Sequence, residues 1–182
     1  MKIFKLLWDF VSMVGGAILL SLLITVFVFQ PYKVDGHSMD PTLHDEQRIY
    51  ASKINHTFST NPSYGDIVIV DSRFNRERSF TDDIAESPLV NMVLKNDAGF
   101  YYVKRVIGKS GDMIEVKEGK VYRNGQVLDE PYINGPMNIT PDQKWTVPED
   151  HVFVMGDNRN HSTDSRSLGF CPISHIMGIK LF

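Results

Sequence analysis

The sequence has only one cysteine, Cys171, so no disulfide can form within the chain. It also lacks a basic surplus, because 22 Asp and Glu outweigh 19 Lys and Arg and give a formal net charge of −3. Nucleic-acid partners require a basic surface, so none is expected. No His, Cys, Asp and Glu spacing typical of a metal site occurs, nor a glycine-rich phosphate loop, so we expect no metal and no other cofactor.

Long amphipathic helical patterns are also missing after residue 31, where short runs rich in β-branched and aromatic residues occur instead. Turn signals separate these runs, and Asn124-Gly125 between two of them is a strong hairpin signal. We predict strands at residues 66–70, 100–107, 113–116, 121–123, 126–128 and 152–155. Residues 31–182 have the length of one domain, and their short strands predict a mainly β protein with an antiparallel, barrel-like domain. The charged stretch at about 72–97 is predicted to be a surface insertion.

Long apolar runs are absent except at the N-terminus, where Phe10 to Phe29 carries no charged side chain. About 20 apolar residues let a helix cross a hydrocarbon core of about 30 Å, so we predict a transmembrane helix at residues 10–30 after a short cytoplasmic segment, 1–9. A buried core helix fits less well, because the run is apolar on all sides.

A cleaved secretory signal is the main alternative for this segment, since Lys2 and Lys5 could form its basic start. Its apolar core would be about 7–15 residues long and a small-residue cleavage site would follow, whereas bulky residues follow here. The two lysines also favour an N-terminus inside the cell, which would place residues 31–182 outside the cytoplasm.

Ser38 lies eight residues after Gln30, which closes this run. Because each residue spans at most roughly 3.5 Å, Ser38 is predicted to lie close to a bilayer surface.

Lys104 lies in a predicted strand, where the alternation of side chains places it on one face with Phe100, Tyr102 and Val106. The ordinary explanation is that such a lysine lies on an edge strand, where its charge prevents aggregation through the exposed edge. A lysine acts as a base only when it is neutral, and its usual pKa of about 10.4 keeps it charged near pH 7. Apolar surroundings can lower that pKa to about 7–8, so the same position also suits a general base.

The segment from Gly156 to Gly169 is dense in polar side chains, with two carboxylates, two arginines and four hydroxyl residues. A solvated loop with weak surface ion pairs would have this composition. So would a structured loop whose ion pairs hold a hydroxyl beside an active site.

Taken together, these stretches resemble bacterial type I signal peptidases, and the match is collinear. The matching segments are Ser38 to Leu43, Tyr64 to Val70, Lys104 to Asp112 and Gly156 to Gly169. They correspond to the family's serine box, its Gly-Asp-x-Val box, its lysine box and its final Gly-Asp-Asn-Arg box. Asp129-Glu130-Pro131-Tyr132 also looks like the family, and the single anchor and short insertions look like the enzymes of Gram-positive bacteria.

The resemblance implies a membrane-bound serine peptidase of the bacterial cell membrane that removes signal peptides from secretory preproteins. Ser38 would be the nucleophile and Lys104 the general base, forming an acyl-enzyme and cleaving after small residues. The supporting residues would be Ser162, which orients the lysine amine, and the ion pairs Asp164 with Arg166 and Asp157 with Arg105. The residues that would line the substrate pockets are Val34, Gly36, Met39, Tyr102 and Val103.

Gly36 departs from the Gram-negative pattern, in which a serine two positions before the nucleophile donates its hydroxyl to the oxyanion. Glycine has no such donor, although Gram-positive relatives also carry glycine here. The Ser38 N–H remains as one donor, and the second is left unassigned.

Other functions remain as alternatives. A histidine base would use one of the residues beside the boxes, His37, His44 or His161, and Cys171 is a possible nucleophile without a supporting signature. A self-cleaving Ser-Lys repressor would carry a DNA-binding domain in place of the apolar run. A membrane-anchored β domain without peptidase activity, as an inactive homologue, would keep the strands without needing Ser38, Lys104 and Ser162 together.

Overall fold

The protein is described by a computed structural model. It describes residues 2–54, 61–74, 76–85, 90, 101–133, 135–138 and 142–181. The helices are α1 (Lys2–Phe27), α2 (Phe80–Ala85) and α3 (Ser165–Leu168), with a short 3-10 helix at Ile173–His175. The strands are β1 (Phe29–Lys33), β2 (Arg48–Ser52), β3 (Ile67–Asp71), β4 (Tyr101–Lys109), β5 (Met113–Lys117), β6 (Lys120–Arg123), β7 (Gln126–Val127), β8 (Gln143–Thr146), β9 (His151–Met155), β10 (Cys171–Pro172) and β11 (Ile176–Lys180).

The N-terminal helix α1 starts earlier and ends earlier than the predicted 10–30 segment, because Phe29 and Gln30 already belong to β1. Pro31 explains the early end, since a residue before proline avoids the helical conformation. Most side chains of α1 are exposed, and only Val26 is buried. By length and composition, α1 is able to cross a membrane.

The strands form two antiparallel sheets. The larger sheet has the order β1-β2-β11-β3-β4-β9-β10, while the smaller has the order β7-β6-β5-β8. This confirms the predicted mainly β, antiparallel class. The predicted strands correspond to β3, β4, β5, β6, β7 and β9, within two residues at each end. Strands β1, β2, β8, β10 and β11 were not among the predicted strands.

Strand β3 lies at the centre of the larger sheet and is buried on both faces. Ile67 and Ile69 pack into one core cluster with Met39 and Leu43, while Val68 and Val70 pack into another. The first cluster therefore fixes the chain that follows β1 against the sheet, and this is the chain that carries Ser38.

The predicted insertion at 72–97 is described only at residues 72–74, 76–85 and 90. Its first part is tied to the sheet, since Arg73 and Arg78 both form ion pairs with the buried carboxylate of Asp71. These arginines hold the pKa of Asp71 well below its usual range, against the opposing effect of burial. Two of the charged side chains in this stretch therefore neutralise a buried carboxylate and do not serve only as solvated surface groups.

Candidate active site

Ser38 and Lys104 are in direct contact, although 66 positions separate them in the sequence. Ser38 lies in the turns after β1, and Lys104 lies in β4, opposite Val68 of β3. The Nζ atom of Lys104 is 2.8 Å from Ser38 Oγ and 3.0 Å from the carbonyl oxygen of Val103. A base must lie within hydrogen-bonding reach of the proton it removes, and this pair meets that requirement.

The surroundings of Lys104 favour its neutral form. The residue is only 4% exposed, so its amine is largely removed from water. Burial lowers the pKa of Lys104 to about 8, an effect that the carboxylates of Asp164 and Asp157 oppose and Arg166 assists. At pH 7 about a tenth of such an amine is neutral, compared with less than a thousandth at the usual pKa.

Two arginine–carboxylate pairs surround this contact. Arg105 points away from Lys104 and binds Asp157 through two hydrogen bonds of 2.8 and 2.6 Å. Asp157 also accepts a 2.5 Å hydrogen bond from Thr42, which links the last box to the serine box. Both carboxylate side chains, Asp157 and Asp164, are fully buried, so these pairs are not weak surface bridges.

Asp164 holds the second pair and organises the polar loop. It accepts two 2.8 Å hydrogen bonds from the Arg166 guanidinium and one of 3.0 Å from the Gly156 N–H. It also caps the N-terminus of α3 by accepting from the Arg166 N–H. The structure thus places all four predicted ion-pair residues, in two pairs, around Lys104.

A third buried pair, Glu130 with Arg159, was not assigned a role from the sequence. Its two hydrogen bonds measure 2.8 and 2.6 Å, and Arg159 also donates to the Gly156 carbonyl oxygen at 3.1 Å. Tyr132 packs beside it, and burial together with Glu130 raises the pKa of that tyrosine to about 12. Both residues lie in segments that resemble the family, Glu130 in Asp129–Tyr132 and Arg159 in Gly156–Gly169. Nothing in the sequence indicated, however, that these two residues form an ion pair with each other.

Ser162 is not placed as the sequence predicted. Its Oγ atom is buried without a hydrogen-bond partner in the described part of the chain, so it forms no hydrogen bond with the Lys104 amine. The hydroxyl lies over Gly156 instead: a Cβ atom on that glycine would be 2.3 Å from Ser162 Oγ and 2.4 Å from the Ser38 carbonyl oxygen. The absence of a side chain at Gly156 is what allows Ser38 and Ser162 to approach each other.

The predicted pocket residues include members of one core cluster, an aromatic residue beside the Lys104 amine, and a glycine in an unusual backbone conformation. Val34 and Met39 are buried in one core cluster, with Val103 packed against it, and Tyr102 lies beside the Lys104 amine. Gly36 has a φ of +86°, a conformation that side chains other than glycine's rarely adopt, and its N–H donates to Asp45 at 2.8 Å. The backbone at this position therefore favours glycine.

The rival nucleophile and bases are held elsewhere. His37 and His44 both contact Asp40, and His161 contacts Asn158. Cys171 is buried, which raises the pKa of its thiol and disfavours the reactive thiolate. Within the described ranges, no group of His, Cys, Asp or Glu is arranged to hold a metal ion.

Comparisons with known proteins agree on one family. Residues 7–182 match the family model described as signal peptidase, peptidase S26. The chain is 36% identical to the probable signal peptidase I-1 of Synechocystis sp. over 96% of its length and 83% of that protein. It is 34% identical to signal peptidase I of Bacillus licheniformis, with 97% and 87% of the two chains covered. A crystal structure of a signal peptidase I from Enterococcus faecalis is 28% identical in sequence and has a TM-score of 0.47. The match covers 66% of this chain and 97% of the Enterococcus chain.

Proposed function

This chain belongs to the signal peptidase family, peptidase S26, and from that premise we propose that it removes signal peptides from secreted precursors with a Ser38–Lys104 dyad. The observation that carries the proposal is the 2.8 Å contact between Ser38 Oγ and the buried amine of Lys104. A serine hydroxyl is a poor nucleophile unless a neighbouring base takes its proton, and Lys104 is placed to do so.

In the proposed reaction, neutral Lys104 removes the Ser38 proton as Oγ attacks the scissile carbonyl carbon. The resulting tetrahedral oxyanion collapses to an acyl-enzyme, and the Lys104 ammonium returns the proton to the departing amine. Lys104 then takes a proton from a water molecule, which attacks the ester carbon. The second tetrahedral intermediate collapses as the Lys104 ammonium returns this proton to Ser38 Oγ, which releases the cleaved signal peptide as a carboxylic acid and restores neutral Lys104 and free Ser38.

The sheet offers an edge on which an extended substrate can lie. Strand β9 pairs with β4 only from Arg105 onward, where Arg105 lies opposite Met155. Within the described part of the chain, Tyr102–Lys104 therefore has β3 on one side and no strand on the other. We propose that the signal peptide pairs here, with small side chains fitting the pockets around Val34, Met39 and Val103.

The test is cleavage of a secretory precursor by the purified full-length protein in detergent. We expect one cut after a small-x-small sequence, identified by mass spectrometry, and no cut by Ser38→Ala. A matched precursor with leucine directly before the cut should remain intact. Failure of the wild-type protein to cleave any such precursor would support the inactive-homologue alternative.

The rate of cleavage should rise with pH, because only neutral Lys104 acts as a base. With a pKa of about 8, the rate should increase about tenfold per pH unit at low pH and level off above pH 9. Single-turnover rates between pH 6 and 10, with the fold checked by circular dichroism, measure this directly. A profile that stays flat from pH 6 to 9 would exclude a lysine base.

We further propose that α1 anchors the chain in the lipid bilayer with its N-terminus in the cytoplasm and residues 31–182 outside. The exposed side chains of Phe29, Tyr50 and Leu181 support bilayer contact close to the end of α1. Pro31 and Tyr50 are paired in register, and the Leu181 N–H donates to the Tyr50 carbonyl oxygen. Protease added to intact cells should then digest the β domain. Protection of that domain from the protease would show that it lies in the cytoplasm and that the proposed orientation is wrong.

A further inference from the structure

The two carbonyl groups on either side of Ser38 are both held by Asn158. Its side-chain Nδ2 donates to the His37 carbonyl oxygen at 3.0 Å, and its main-chain N–H donates to the Ser38 carbonyl oxygen at 3.0 Å. Asn158 is 6% exposed and lies 121 positions from His37 in the sequence. One buried residue thus fixes the backbone of the nucleophile at two successive points.

The orientation of the Asn158 amide follows from its partners. The His37 carbonyl can only accept a hydrogen bond, so the nitrogen of the amide must face it. The oxygen, Oδ1, then faces His161, whose Nδ1 lies 3.2 Å away and must carry a proton to donate. His161 therefore keeps Asn158 turned so that its donor points at the nucleophile backbone.

The contact with His37 determines where the Ser38 N–H points. The carbonyl of His37 and the N–H of Ser38 belong to one peptide group, and the only cis peptide among the described residues is Asp40–Pro41. In a trans peptide the two groups point in opposite directions. Fixing the carbonyl towards Asn158 thus directs the N–H to the other side, where it has no acceptor within the described chain.

A main-chain donor at this position carries unusual weight in this protein. The Ser38 N–H is the one oxyanion donor that can be assigned, because Gly36 has no hydroxyl to offer. A hydrogen bond accepted by a carbonyl also polarises its peptide group and strengthens its N–H as a donor, by about 10–30% per bond. The His37 carbonyl accepts a second, longer bond of 3.3 Å from the Asp40 N–H.

We propose that Asn158 is a positioning residue that aims and polarises the Ser38 N–H towards the oxyanion of the tetrahedral intermediate. The inference rests on the proposed peptidase function but adds a residue that does not touch the substrate. Its contribution is made in the transition state, since the oxyanion forms only there.

The test compares Asn158→Ala and Asn158→Asp with the matched control Asn160→Ala. Asn160 belongs to the same loop and also makes two side-chain hydrogen bonds, to Pro136 and Asn138, away from Ser38. We expect both Asn158 variants to lower kcat about 10- to 100-fold with KM unchanged, since one oxyanion donor is worth about 10²–10³ in rate. Asp should be at least as harmful as Ala, because it places an oxygen against the His37 carbonyl.

A tetrahedral analogue separates positioning from a purely structural role. The probe is a peptide with the sequence before the cleavage site, ending in a boronic acid that forms a tetrahedral adduct with Ser38. Its affinity should fall by the same factor as kcat in the Asn158 variants, while the affinity of the same peptide ending in an amide stays unchanged. Asn160→Ala should match the wild type in every measurement.

Three results would overturn the inference: wild-type kcat in both Asn158 variants, a change in KM alone, or unchanged boronate affinity despite a lower kcat. If the Asn158 variants do not fold, the variant His161→Ala provides the test, because His161 is exposed and contacts Asn158. A loss in kcat and boronate affinity, smaller than that expected for the Asn158 variants, would support the inference. No loss would refute it. The proposed function is tested separately, because wild-type cleavage and its loss in Ser38→Ala do not depend on Asn158.

Discussion

Replacing Lys104 with methionine is expected to abolish peptide cleavage and to make the folded protein more stable. Methionine fills a similar volume but cannot take or return a proton. We expect kcat to fall at least about 10³-fold, because Lys104 would serve as both base and acid in each turnover. The measurement is single-turnover cleavage of the precursor by full-length protein in detergent.

The gain in stability follows from the lowered pKa of Lys104. The folded protein binds this proton with a pKa of about 8, against 10.5 for an ordinary lysine. Between these values the unfolded chain binds more protons, so wild-type stability rises with pH from 8 to 10.5. Below pH 8 the wild type carries the full cost of the buried ammonium, about 3 kcal/mol. The Lys104→Met variant should therefore be more stable below pH 8, and its advantage should vanish towards pH 10.5.

Lys109→Met is the matched control for this prediction, since Lys109 lies in the same strand and its amine is 5.1 Å from the centre of the Tyr64 ring. It should cleave the precursor like the wild type. Retention of more than a tenth of the activity by Lys104→Met would rule out the dyad. A stability advantage that does not change between pH 8 and 10.5 would show that improved packing, and not the lost charge, is its cause.

The sequence was informative about the residues that could do chemistry and less informative about what holds them. Ser38 and Lys104 are unusual in the sequence, as a serine beside a membrane segment and a lysine on an apolar strand face, but only the family resemblance implied their catalytic roles. Arg105 and Asp157 could be paired only through the family resemblance. Glu130 and Arg159 could not be paired at all, because opposite charges 29 positions apart have many possible partners until the fold brings two of them together.

The fold was predictable where strands are long or end at clear turns. Strand β4 and the hairpins around Asn124-Gly125 have these features. Strand β1 was missed because Phe29 and Gln30 continue the apolar run, so hydrophobicity alone assigned them to the helix. Ser162 shows a different limit: its hydroxyl was expected on the lysine amine, yet packing against Gly156 places it elsewhere, and packing at this scale has no sequence signal.

Gly156→Ala is expected to cause the second large loss, and the reason is steric. Met155 lies opposite Arg105, so Gly156 continues β9 towards the level of Lys104. An alanine Cβ there would be 2.4 Å from the Ser38 carbonyl oxygen, a backbone atom that cannot turn away. Relief of the contact must move Ser38 itself, and a displacement of about 1 Å can cost about 10²-fold in rate. We expect kcat to fall at least that far, with the free energy of unfolding lowered by about 1–3 kcal/mol.

The control for this prediction is Gly108→Ala in β4, which is also crowded but lies against a side chain. Its Cβ would be 2.7 Å from Ile114 Cδ1 and 2.8 Å from Ile114 Cγ1, which are both side-chain atoms and not backbone atoms of Ser38. We expect a comparable loss in thermal stability with kcat unchanged, because no contact with Ser38 is disturbed. Parallel losses of kcat in both variants would point to general destabilisation. Wild-type kcat in Gly156→Ala would show that the Ser38 carbonyl does not need the space that glycine leaves, and the close approach of Ser38 to the end of β9 would then have no part in catalysis.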